Sequence, residues 1–558
     1  MKEEKKTAMD RRSFLKGAAL AGAGAVSASA LAACSAPNGG SSEQGGGSPS
    51  ASSGGIDWLG TPPSIKPEDC VETIETEIVV VGSALAGVMS AYSALNNGAQ
   101  VHMIERNGSP HISGSGIGFF NSKYQIENGQ PKHDEYMVMS KVINESNLRC
   151  DASLVALWGH NSGAILDEIH KNVLEPAGLP GRIMMGEALH ESDLDQYIVS
   201  FHVDFDPEEK DSLEPFIWTF HDWISAKGGT ISFNTCARKL VQDADGAVLG
   251  LIATNENNEN VYYKTSKAVI VCAGSYGGNE DMVNNFCYPS MAKFINTYNA
   301  YNAKSTESAP ITTSEKMDDG TGHKMMCWAG AIMEEIDPSY QAWSIDGYSF
   351  AAPLAVNNQG KRFFNECFSS LSTSFPIFEL PDGVNYVWQI LGSDNFNMPP
   401  LLPIPGMTRE IMDMIASGSE SYEADTIEEL AKKIDLDPAA LKETVERYNE
   451  QCINGKDEDF GKAPWHLNPI DTPPFKAFKE NYHFYGMSSG IKVNRNLQVV
   501  DKNWKPIPGL YSAGNCTGWR IGSGYQNVVP GLCNAYAATH GYFAGKNAAL
   551  GTDSMPVK

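Results

Sequence analysis

Residues 77–105, EIVVVGSALAGVMSAYSALNNGAQVHMIE, constrain this chain more than any other stretch. The apolar run Ile78–Val81 has the pattern of a parallel strand buried on both faces. Gly82 allows a tight turn, and Gly87 lets the following helix, expected over 85–97, lie close to the strand. That helix directs its free N–H groups and positive end at a pyrophosphate. Glu105 closes a second strand where an acid can bond ribose hydroxyls. Ala84 stands at the middle glycine of GxGxxG, which loosens the phosphate approach slightly. Strand, turn, helix, strand and acid together predict a dinucleotide-binding βαβ unit.

The 558 residues suffice for two or more compact domains, and alternating helical and strand patterns favour an α/β class. A net charge of −25 argues against a basic nucleic-acid surface and favours solubility or docking to a basic partner. The first 34 residues read as a signal rather than as fold. Asp10-Arg11-Arg12-Ser13-Phe14-Leu15-Lys16 resembles a twin-arginine export signal, and Leu31-Ala32-Ala33-Cys34 resembles a lipoprotein cleavage box with Cys34 as the lipid-bearing residue. Residues 35–68, Gly/Ser-rich at first, are expected to be a flexible tether. No later segment has the length and apolarity to span a bilayer. The remaining cysteines show neither CxxC nor metal spacing, so no metal site is expected, and CxxCH is absent.

Further along, 216–235 reads as helix, Gly-Gly turn and strand, and 237–255 as a hairpin turning at Asp245-Gly246. The strand expected over 267–273 runs into a second glycine turn, Gly274-Ser275-Tyr276-Gly277-Gly278. Asp319-Gly320-Thr321-Gly322 precedes a helix over 323–330. Beyond about 335 the sequence becomes aromatic and proline-broken. Thr426 and Asp437-Pro438 then open helices. A strand-like segment over 490–501 and a helix over 531–548 complete the chain, which has no internal repeat.

Seven of these segments, in order, resemble the flavoprotein family of fumarate reductases, succinate dehydrogenases and 3-ketosteroid dehydrogenases: VVVGSALAG, the Glu105 strand end, KLVQDADGAVLG, VIVCAGSYGGNEDM, DDGTGHKMMCWAGA, VNNQGKRFFNE and GLYSAGNCTG. The resemblance implies a Rossmann-like FAD-binding domain (69–334 and 483–548) with an inserted α+β cap domain (335–482) and chemistry in the cleft between them. It implies FAD pyrophosphate at Gly82, Ala84, Leu85, Ala86 and Gly87, ribose at Glu105 and Arg106, and backbone contacts at Ala237, Ala273, Gly274 and Asp319. Gly514, Asn515, Gly531 and Leu532 would face the flavin end, with Asn515 in place of the family's usual glutamate. The loop carrying His111, Ser113, Gly114 and Gly118 would run beside the isoalloxazine, and His111 stands seven residues before Gly118, the spacing of histidyl-linked members.

The chain departs from fumarate reductase where that enzyme binds its dicarboxylate. Asp337-Pro338-Ser339 replaces His-Pro-Thr, and VWQILGSDNFN holds no counterpart of the cap arginine. Without cationic forks a dicarboxylate is poorly accommodated. The C-terminal text resembles the ketosteroid branch instead, with Tyr525 and the Gly531 N–H as candidates to polarise a carbonyl and Arg520 as a rival. Tyr485, Tyr348 and Tyr340 are candidate proton donors. The expectation is reduction of an activated C=C bond in a non-dicarboxylate, ring-bearing small molecule. A multihaem cytochrome or other quinol-linked carrier outside the cytoplasm would supply the electrons. A ketosteroid-type dehydrogenase and a non-catalytic flavin carrier are the alternatives.

Overall fold

The computed structural model describes residues 57–551, apart from 111, 113–115, 180, 185–199, 203–211, 297–317, 335–339, 344–353, 367–379, 382–383, 385, 398–419, 482, 523–528 and 530. The segments expected to be twin-arginine and lipoprotein signals lie outside the described residues.

The apolar run becomes the inner end of strand β1 (Glu72–Val81), with Ile78–Val81 buried. Helix α1 (Leu85–Asn96) follows, then strand β2 (Val101–Ile104) parallel to β1. The main sheet runs Gln498–Val500, Pro506–Ser512, Asn260–Val271, β1, β2, Thr230–Ser232, parallel except for its first pair. The hairpin of Cys236–Gln242 and Val248–Thr254 joins it through Asn260–Val271. Helix α1 packs on the C-terminal helix Leu532–Leu550, which is buried along nearly its whole length. Mixed α/β architecture around a largely parallel sheet is therefore observed, as the alternation of patterns predicts.

A second core gathers Leu354, Val356, Trp388, Ile390, Leu430, Leu441 and Phe475. It lies between an antiparallel sheet (Leu354–Val356, Tyr386–Leu391, Phe475–Asn481, Ser421–Ala424) and helices Ile427–Lys433 and Pro438–Asn454. This is the inserted α+β cap. Thr426 and Asp437 cap the two helices through their side-chain oxygens.

Two local expectations change. The segment 490–501 is not one strand: Asn494 Oδ1 accepts from the N–H groups of Asn496 and Gln498, and Leu497 adopts φ 64°, so a tight turn leaves only Gln498–Val500 as strand. Of the stretch expected over 35–68 to be a flexible tether, the described part, from 57, is held against the body. Trp58 stacks edge-on against Phe286 at 4.9 Å, and Lys239 Nζ bonds the carbonyls of Pro63 and Ile65, fixing this stretch to the body.

Candidate active site

The site begins at the turn between β1 and α1. Gly82 has φ +95°, and a Cβ there would sit 2.4 Å from the Cys272 carbonyl oxygen. A Cβ at Gly87 would meet the Gly82 oxygen at 2.0 Å, so the helix start is drawn onto the turn. Ala84, the N-cap, offers no side-chain acceptor, which leaves the first helical N–H groups for an anion.

Glu105 is buried at the end of β2. Its carboxylate accepts from Ser83 N at 3.1 Å, Ser83 Oγ at 3.0 Å and Asn107 N at 3.1 Å. Behind it, His221 Nε2 donates to the Ser83 carbonyl at 2.8 Å, and burial holds this imidazole below its ordinary value. Opposite, Asp318 accepts from Ser275 N (3.1 Å) and Ser275 Oγ (2.7 Å), which fixes the turn after the long strand. Arg106 and Asp319 form an ion pair at 3.0 Å.

The glycine turn, Glu105, Arg106, Asp318 and Asp319 line one cleft that is open to solvent. Of the residues expected to touch FAD, it brings together Gly82, Ala84, Leu85, Ala86, Glu105, Arg106, Ala237, Ala273, Gly274, Asp319, Gly514 and Asn515. The fit to an extended dinucleotide is physical: an uncapped helix end beside a turn too tight for a side chain, an acid at the next strand end, and backbone-lined walls continuing to Asn515. Gly87, Gly118, Gly531 and Leu532 stand outside this lining. Gly118 N donates to the Gly531 carbonyl at 3.0 Å, so the loop after Ile117 is tied to the head of the C-terminal helix.

His111, Ser113, Gly114, Tyr348 and Tyr525 lie outside the described residues. Tyr340 and Tyr485 belong to two antiparallel strands, Tyr340–Trp343 and His483–Met487, in which Tyr340 is paired with Met487. Met487 N donates to Ser275 Oγ, which brings that pair of strands against the Asp318 turn. Arg520 is the clear departure from expectation. It is fully buried, donating through Nε to the Thr517 carbonyl and through its terminal nitrogens to Asn515 Oδ1 and Cys533 Sγ. Its guanidinium is thus spent within the protein rather than turned to a substrate carbonyl.

The sequence gives no signal for the roles of Ser83, Thr235, Asp318 and Asn534, all of which border the cavity. Ser83 sits inside the glycine motif and Asp318 inside DDGTG, so position was legible there. Their partners, 22 and 43 residues away, were not.

The family model for an FAD binding domain matches residues 77–531. The vinyl phenol reductase of Lactiplantibacillus plantarum is 26% identical over 516 residues, covering 86% of this chain and 98% of that protein. The urocanate reductase of Eggerthella lenta is 26% identical over 503 residues, covering 86% and 75%. Among solved structures, the 3-ketosteroid-Δ4-(5α)-dehydrogenase of Rhodococcus jostii RHA1 superposes with a TM-score of 0.67 at 20% identity, covering 85% of this chain and 97% of that one.

Proposed function

Since the chain belongs to the FAD-binding domain family, we propose that it reduces an activated C=C bond in a ring-bearing small molecule that is not a dicarboxylate. It is an FAD-dependent oxidoreductase acting on CH–CH groups, and FAD is its cofactor. The observation that carries the reading is the similarity, across 86% of the chain, to reductases of vinyl phenol and of urocanate, both unsaturated and ring-bearing.

FAD supplies hydride chemistry at the flavin ring. The chain's own contribution is to bind, orient and protonate. Gly82 to Ala86, at the head of α1, would hold the pyrophosphate, and Glu105, fixed by Ser83, would take the adenosine ribose. The strands carrying Tyr340 and Tyr485 supply candidates for proton delivery to the α-carbon, together with Tyr348. Tyr525 and the Gly531 N–H remain the proposed donors to the growing oxyanion. Export through the twin-arginine signal would place the enzyme in the cell envelope, anchored through lipid on Cys34. There a multihaem cytochrome or other quinol-linked carrier would feed it electrons.

The test is direct. The purified protein, its FAD confirmed by absorbance and reduced anaerobically, is mixed with ring-bearing enones, enoates, vinylphenols and fumarate. Rapid reoxidation by a ring-bearing acceptor with fumarate inert is expected. Fumarate as the fastest acceptor, or reduction of the oxidised flavin by a saturated ketone alone, would overturn the reading.

A further inference from the structure

Arg520 has no access to solvent, yet it stands one hydrogen bond behind the cavity wall. Asn515 and Cys533 both line that wall. Arginine carries donors and no acceptor, so the Asn515 atom facing it is the amide oxygen and not the nitrogen. Cys533 reinforces the choice, because its thiol donates to the same Oδ1 at 3.2 Å while its sulfur accepts from Arg520 Nη1 at 3.3 Å. The backbone beneath is equally fixed: Thr517 Oγ1 donates to the Gly514 carbonyl at 2.7 Å, and Trp519 N donates to the Glu334 carboxylate at 3.1 Å. Glu334, itself buried, lies near enough to Arg520 for the guanidinium to offset part of the burial that raises its carboxyl.

We propose that Arg520 is a positioning residue for the cofactor: it clamps Asn515 with its oxygen inward and its NH2 toward the cavity, giving FAD a hydrogen-bond donor at this wall. A carboxylate at 515 would offer only acceptors, and an amide free to turn would offer either. The donor's partner is an acceptor oxygen of the ribityl–isoalloxazine portion, since the pyrophosphate and adenosine ends are served by Gly82 and Glu105. This inference rests on FAD as the cofactor and is independent of the organic substrate.

The experiment titrates apo-protein with FAD and, separately, with ADP, which carries only the adenosine and pyrophosphate. Arg520→Met removes the clamp. Asn515→Asp keeps a partner for Arg520 and deletes the donor. Each is expected to weaken FAD about tenfold, the worth of one well-made hydrogen bond, with ADP affinity unchanged. Arg520→Lys, retaining one donor to Oδ1, should recover part of the loss. Undiminished FAD affinity in N515D overturns the proposal, as does a parallel loss of ADP in N515D and R520M, which would mark general damage to the fold. Should R520M not fold, R520K takes its place, expected to bind FAD between wild type and N515D with ADP unchanged, and N515D still decides the donor. Wild-type protein that takes up ADP but no FAD would instead refute the cofactor assignment.

Discussion

At the scale of single residues, the site is governed by atoms for which there is no spare room. Gly82→Ala adds a methyl 2.4 Å from the Cys272 carbonyl at a φ that side chains rarely adopt. Strain of roughly 1–3 kcal/mol and a displaced helix head should follow. FAD per protein after gel filtration should fall sharply, and full retention would show that the turn is not the pyrophosphate seat. Glu334 allows a second prediction. Burial pushes its carboxyl up from 4.5 to about 7. The folded state therefore holds the proton more tightly than the unfolded chain, so this group favours folding below about 4.5 and opposes it increasingly as pH rises to about 7. Urea midpoints at mildly acidic and mildly alkaline pH should fall with pH in wild type and less so in Glu334→Gln; equal slopes would exclude the group. The residues from Gly82 to Arg106 were legible because their chemistry is local to one βαβ unit. Arg520 is a candidate by its Arg-Ile-Gly text alone, and text does not tell that, after Trp519 at φ 55°, the guanidinium is buried on Thr517, Asn515 and Cys533.

Elements meet here through small residues. A Cβ on Gly541 would lie 2.4 Å from the Ala86 oxygen, and one on Gly545 2.0 Å from the Ser90 oxygen, so the C-terminal helix rests on the backbone of α1. Gly545→Val should therefore push α1 away, lowering both the melting temperature and FAD occupancy. A substitution that changed neither would mean that this seam does not set the height of α1. The closing helix was visible in sequence, but its position was not: apolar on all sides, it carries no stripe to say which neighbour it faces. The cap reads differently. Arg362 binds Glu366 at 2.8 Å and Asp457 at 2.9 Å, all three being nearly inaccessible, with Lys462 joining Glu366 at 3.4 Å. Against the burial that raises it, Arg362 holds the Asp457 carboxyl down at about 2. Arg362→Met takes the ion partner from the buried Asp457 carboxylate and leaves Glu366 to Lys462, and should cost about 3–5 kcal/mol, as is usual when one partner of a buried pair is removed. An unchanged unfolding midpoint would contradict this. RFFNE was legible as a motif, yet its closing partners at 457 and 462 come from beyond a helix, a distance that no spacing rule reaches.

For the whole molecule, charge is the feature that acts at long range. The chain carries 42 basic and 67 acidic residues, a net −25, and the proposed function leaves it dependent on electrons from another protein. At low ionic strength a field of that sign draws in a carrier with a positive docking face and repels one with a negative face. Exposed charges are screened beyond about 10 Å at 0.1 M salt, so the steering should fade as salt rises. Stopped-flow reduction of the bound FAD by a basic cytochrome should thus slow steeply between about 0.05 and 0.5 M salt, with an acidic carrier accelerating over the same interval. The hydride step within the cavity should be indifferent to salt, which separates docking from chemistry: turnover with a small uncharged reductant is the control. A rate with the basic cytochrome that does not respond to salt would mean that net charge serves solubility alone and that the donor docks by an uncharged patch.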